Sequence, residues 1–166
     1  MQVAQTVAAL DAGFNFSTPV SASLSGTMQI QADSVSNKGL KALRLGDGNT
    51  DTVTIQQGSV LQVPDITLTA KTSVTVESGA QLLGVDSAGA GTVAINAPAG
   101  TFTVEKTATV RAGHGLTLNV SDIILNGELK ADNSALNISA QNVYFVPDVF
   151  QPVSYTHLTL PTIYSV

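Results

Sequence analysis

Cysteine and tryptophan are absent from this 166-residue chain, and charge is scarce. Without cysteine there is no disulfide, no thiol nucleophile and no thiolate zinc site. Charged residues are 11% of the chain, against roughly a quarter in ordinary soluble domains. The few basic residues do not converge; Lys38, Lys41 and Arg44 are the densest group, set among neutral residues. With a net charge of −5, the chain lacks the clustered lysines and arginines a phosphate backbone requires, so no nucleic-acid partner is expected. Long apolar runs are missing too. Hydrophobic residues make up 43%, but they come in pairs and triplets broken by Thr, Ser, Asn and Gln, far short of the roughly 20 residues of a membrane-spanning helix. No secretory leader is legible: Met1–Gln5 has no basic region, and Val7–Leu10 is too short for an apolar core.

What is present is repetition. Leu116-Thr-Leu118-Asn-Val120-Ser-Asp122-Ile123-Ile124-Leu125 recurs twenty residues later as Leu136-Asn-Ile138-Ser-Ala140-Gln-Asn142-Val143-Tyr144-Phe145. Apolar positions match apolar positions, and Asp122 falls on Asn142. A period of that size marks a solenoid, whose repeats bury their apolar faces only against neighbours. From Leu40 onward, apolar-x-apolar units follow one another: Leu43/Leu45, Val53/Ile55, Leu61/Val63, Ile66/Leu68, Val74/Val76, and so on to Val143/Phe145. Strict alternation is strand chemistry, one side chain inward and the next outward. Units starting every six to nine residues, three to a coil, predict an all-β chain: a right-handed triangular parallel β-helix of about 20 residues per coil and about six coils. The expected layout is an ambiguous segment over residues 1–23, a shaft over 24–147 and a non-repeat tail over 148–166. Within the first segment, Val3, Ala4, Val7, Ala8 and Leu10 would also suit one face of a short helix. The Gly-rich run Gly84–Gly91 predicts a loop at one corner.

Two resemblances follow from particular residues. The stretches Ile66–Ala80 and Leu116–Phe145, above all Ile124-Leu125-Asn-Gly-Glu-Leu129 with its Asn-Gly corner, resemble filamentous haemagglutinin-type exoproteins, the β-helical adhesins of two-partner secretion. Coverage is about residues 40–146. The secretion-domain signature of that family is not visible, so the resemblance implies an internal shaft segment. It further implies a secreted or bacterial cell-surface location, an outer-membrane transporter during export, and a host or bacterial surface receptor contacted by regions outside this segment. Val153-Ser-Tyr-Thr-His-Leu-Thr-Leu-Pro-Thr162 resembles a peptide that recurs where untrimmed sequencing adaptor is read as coding sequence, which implies that residues from about 152 are not native. A shaft cut from a longer chain would also have bare coil ends and self-associate through them.

Candidate chemistry is sparse. Asp47-Gly-Asn49-Thr-Asp51 has calcium-loop spacing, with Asp47, Asn49 and Asp51 as hard oxygen donors. An EF-hand would continue with Gly and Glu where this chain has Thr52 and Gly58, and a polar turn reads the same residues more simply. Gly89-Ala-Gly91-Thr-Val-Ala94 fits G-x-G-x-x-A, but Val93–Ile95 continues as a strand where a dinucleotide site needs a helix. His114, between two glycines, reads as a solvated turn residue. Asp65 and Asp86 are 21 apart and could stack on neighbouring coils, but two like charges make no active site. No cofactor and no catalytic residue are expected. The expected role is a non-catalytic shaft; the alternative is a fragment of a carbohydrate-active β-helix, a polysaccharide lyase or hydrolase, with its site elsewhere.

Overall fold

The computed structural model describes residues 2–4, 29–36, 38–132 and 135–146. In chain order the elements are β1 (Gln2–Ala4), β2 (Gln29–Gln31), α1 (Ala32–Val35), β3 (Ala42–Leu45), β4 (Thr52–Ile55), β5 (Val60–Gln62), β6 (Asp65–Thr69) and β7 (Ser73–Val76). They continue with β8 (Gln81–Gly84), β9 (Thr92–Val104), β10 (Thr109–Ala112), β11 (Gly115–Leu125), β12 (Glu128–Ala131), β13 (Leu136–Ser139) and β14 (Asn142–Phe145). Every pairing is parallel. The chain is a parallel β-solenoid of about 5 turns, about 22 residues apart. At a strand spacing of ~4.8 Å, such a stack is roughly 24 Å long.

Three faces result. Face one stacks β3, β6, the first half of β9, the first half of β11 and β13. Face two stacks β4, β7, the second halves of β9 and β11, and β14. Face three stacks β5, β8, β10 and β12. The twenty-residue echo is one coil of this stack: Leu116 lies beside Leu136 and Ile123 beside Val143. The coils are unequal. On face two the steps are 21 from Thr52 to Ser73, 28 from Ser73 to Thr101, 21 from Thr101 to Asp122 and 20 from Asp122 to Asn142. The long step contains the Gly84–Gly91 run, where residues 85–91 form a corner loop after Gly84 ends β8. This uneven length makes the average coil longer, and the coils fewer, than the final repeat alone predicts.

Alternation along each strand does the packing. Val53 and Ile55, Val74 and Val76, Phe102 and Val104 are buried, and the Thr between each pair is half-exposed. Each buried Val, Leu or Ile contributes about 1.5–3 kcal/mol, and coil stacking pairs the backbone groups. Outward polar residues form ladders without like-charge repulsion: Asn119 Nδ2 donates to Asn96 Oδ1 at 2.8 Å and Asn142 Nδ2 to Asp122 Oδ1 at 2.7 Å.

Three local features differ from the sequence expectation. Val93/Ile95 and Phe102/Val104 belong to one continuous strand that bends at a corner, as do Leu116/Leu118 and Ile123/Leu125. Val3 and Ala4 are strand: β1 inserts between β4 and β2 on face two. Val7, Ala8 and Leu10 lie outside the described residues, as do residues 147–166. The polar stretch after β2 holds a single helical turn, α1, too short to show a sequence period. Its Ala32 is buried, and Ser36 beyond it uses its hydroxyl twice, donating to the Val60 carbonyl at 3.1 Å and accepting from the Gln62 N–H at 3.0 Å. Among the described residues, no helix is long and apolar enough to cross a membrane.

The corner after face two has its own bonding rule. Glu77 Oε2 accepts from the Gln57 N–H at 2.9 Å and Glu105 Oε2 from the Ser78 N–H at 3.0 Å. Each carboxylate thus satisfies a turn amide in the preceding coil. Glu105→Ala should lower the unfolding free energy by about 1–2 kcal/mol, measured by urea denaturation. No change would show that water replaces the carboxylate.

Candidate functional site

Where the chain passes from face three to face one, register stacks Lys41, Pro64, Gly91 and His114 in one column. Backbone bonds continue the ladder through it: Asp65 N to Lys41 O at 3.1 Å, Thr92 N to Pro64 O at 2.8 Å, and His114 N to Gly91 O at 2.7 Å. Asp65 and Thr92 stand beside that column, and the Asp86 loop folds against it. Together Lys41, Pro64, Asp65, Asp86, Ala90, Gly91, Thr92 and His114 line an open cleft of about 330 Å³. Asp65 and Asp86 line the same cleft, but they do not stack: the residue above Asp65 in the next coil is Thr92. Lys41 and His114 sit three coils apart, about 14 Å at the ~4.8 Å spacing.

Local bonding holds the two carboxylates. Asp86 Oδ1 accepts from the N–H groups of Ala88 and Ala90, both at 2.8 Å, and closes its own loop. Asp65 Oδ1 accepts the Thr92 hydroxyl at 2.8 Å. The Ala90 amide, then the Ala88 amide and the charges of Lys41 and His114, hold the Asp86 carboxyl below its ordinary value despite an opposing desolvation cost. The arrangement presents two hydrogen-bonded carboxylates on a polar rim. It suits hydrogen bonding to a polar group.

The calcium-spaced residues form a turn. Asp47 Oδ1 accepts from Asn49 N at 2.9 Å, Thr50 N at 3.0 Å and Thr50 Oγ1 at 3.1 Å. These bonds close an Asx-type turn and hold the Asp47 carboxyl below its usual range, Asn49 first and Thr50 next. The Asp51 carbonyl accepts from the backbone of Thr72 and Ser73. Among the described residues, no group of three or more His, Asp or Glu is placed to hold a metal. In the G-x-G-x-x-A stretch, Thr92 opens strand β9. Sequence reasoning missed Lys41 as a neighbour of Asp86, because only the 23- and 27-residue steps Ala42–Asp65 and Asp65–Thr92 bring them to one corner.

No family model matches the chain, and neither a curated protein nor a solved structure is significantly similar to it.

The carboxylates make stability depend on pH. Asp132 joins Asp47 and Asp86 in being held low, by its hydrogen bond from Arg111 and then by Lys130. Groups depressed in the folded state stabilise it above the unfolded carboxylate pKa of about 3.9. That contribution is lost as pH falls through the folded values. The melting temperature should therefore hold steady from neutral pH down to about 5 and decline below about 4. Asp86→Asn should make the decline shallower; an identical acid limb in that variant would remove Asp86 from the explanation.

Proposed function

We propose that this chain is a non-catalytic structural segment of a large secreted, haemagglutinin-like adhesin, working as a rigid rod that projects a binding region located elsewhere. The stacked register carries this reading. Three parallel faces repeat coil upon coil with a continuous buried column and a weakly charged exterior, an architecture suited to length and stiffness. A receptor would be bound by regions beyond this segment, and export would use an outer-membrane transporter.

Pulling single molecules from their ends tests the mechanical role. The chain should resist and then yield coil by coil, each coil of about 22 residues releasing roughly 75 Å of contour length. Smooth extension at low force would sink the rod. The adhesin assignment is tested separately in the parent gene, where an export domain upstream is the expected result. A carboxylate-rich groove on adjoining coils, with depolymerisation of an acidic polysaccharide, would overturn it in favour of a carbohydrate-active protein.

A further inference from the structure

Asn126-Gly127 is the only Asn-Gly pair in the chain, and it turns the corner after face two. The corner residues of successive coils form one column. Glu77 N bonds the Ile55 carbonyl at 3.0 Å, Glu105 N that of Val76 at 2.9 Å, Asn126 N that of Val104 at 2.8 Å and Val146 N that of Leu125 at 3.0 Å. Glu77 and Glu105 each accept from the amide that follows the corner residue of the preceding coil. By the same rule Val146 stands where it would cap Gly127, but its side chain has no acceptor. Among the described residues, the Gly127 N–H makes no hydrogen bond.

The side chain of Asn126 is untied as well. Its Oδ1 is buried without a hydrogen-bond partner, an unfavourable state for an amide oxygen. Asn96, Asn119 and Asn142, by contrast, are joined in side-chain ladders. Asn126 is one methylene shorter than the glutamates that precede it in the column. With Glu105 and Lys106 it lines an open cleft of about 340 Å³. Glycine at 127 is imposed by the fold: a Cβ there would overlap the Ala108 oxygen and stand 2.5 Å from the Glu105 oxygen. Close backbone approach therefore requires the one residue that leaves the nitrogen next to Asn126 unshielded by a side chain.

We infer that Asn126 is a site of spontaneous covalent modification, with water as the co-reactant. The Gly127 nitrogen gives its proton to hydroxide and bonds to Asn126 Cγ. The Cγ–Nδ2 bond breaks, ammonia leaves, and a five-membered imide remains. Water then opens the imide at Cγ to give aspartate, or at the main-chain carbonyl to give isoaspartate. The sum consumes one water, releases one ammonia and needs no oxidant or reductant. Lys106 brings positive charge to the cleft in which the Asn126 oxygen becomes anionic. Both products add a negative charge next to Glu105 in the column. Isoaspartate also threads one extra backbone carbon through the corner that leads from face two into β12. The corner thus carries a one-way chemical mark of the age of the molecule.

Peptide mapping by mass spectrometry tests this on the full chain held at mildly alkaline pH. The peptide containing residue 126 should gain about 1 Da, with isoaspartate exceeding aspartate and a rate that rises with hydroxide concentration. Asn96, Asn119 and Asn142 should be intact when half of Asn126 has reacted. The rate in the folded chain should lie within tenfold of the rate in urea, because neither reacting group is held by a hydrogen bond. Val146→Glu, at an exposed position, supplies the missing acceptor for the Gly127 N–H and should slow the conversion at least tenfold. Val146→Gln repeats the test without added charge, and circular dichroism confirms that each variant keeps its β-sheet spectrum. Asn126→Gln, which could close only a six-membered ring, should stay intact. An amide kept in the folded chain but lost in urea, unchanged rates in both Val146 variants, or modification first at Asn133 would overturn the proposal. So would ammonia loss that leaves Lys106 joined to residue 126, because the lysine would then be the nucleophile.

Discussion

Phe102→Ala lowers the unfolding free energy by about 3–5 kcal/mol. Phe102 is the largest of the fully buried side chains. It lies in the column between Val74 and Ile123 on face two, fully buried. Neighbouring coils are fixed by backbone bonds on three faces and cannot collapse into the space, which places the cost towards the cavity-forming end of the range. A solenoid also couples adjacent coils more than distant ones. Urea denaturation followed by circular dichroism should show a lower midpoint. Hydrogen exchange should show the largest loss of protection in β7, β9 and β11. A change below about 1 kcal/mol would mean that the core relaxes around the deletion. Tyr144→Ala, at an exposed outward position, is the matched control and should cost little.

Gly91→Ala should cost about 2–5 kcal/mol, from backbone strain and overpacking together. Gly91 has φ +142, a region closed to L side chains, and a Cβ there would overlap the Pro64 carbonyl oxygen and stand 2.7 Å from the Gly84 oxygen. Both obstacles are backbone, held in the ladder that carries the chain from face three to face one, so neither can yield cheaply. Gly89→Ala tests the argument two residues away. Its φ is +77 with nothing within 4 Å of a Cβ, so only the conformational cost of about 1 kcal/mol applies. Equal melting temperatures for the two variants would refute the steric account. Because Gly91 seats the cleft column, Gly91→Ala should also displace the Asp86 loop and abolish the contribution of Asp86 to the acid limb.

Particular residues show how much was legible in advance. Alternation in Val53-Thr-Ile55 or Val74-Thr-Val76 is a local property, fixed by the two-residue period of the strand, and it named the buried side chains correctly. The echo of Leu116–Phe145 set the register of one coil because no insertion interrupts it. The corner loop announced itself through Gly84, Gly89 and Gly91. The polar turn at Asp47 was readable from the preference of Asp, Gly and Asn for turns. Other features depend on distant partners. Lys41, Asp65, Asp86 and His114 share a cleft only because coils of unequal length return to the same corner. Glu77 and Glu105 look like scattered acids until the register sets each above a turn amide of the preceding coil. Ser36 clamps the edge of β5 across 24 and 26 residues, and α1 is a single turn held by that contact, with no periodicity to betray it.

By itself the sequence determined that the chain is β throughout its repeats, that it is parallel and coiled, and which side chains line its interior, because strand alternation and turn chemistry act over a few residues. Tertiary structure alone decided the number of coils, the bend that carries β9 and β11 across two faces, and the charged corner. Those depend on which coil lies next to which, and a coil acquires a neighbour only once the whole stack has formed.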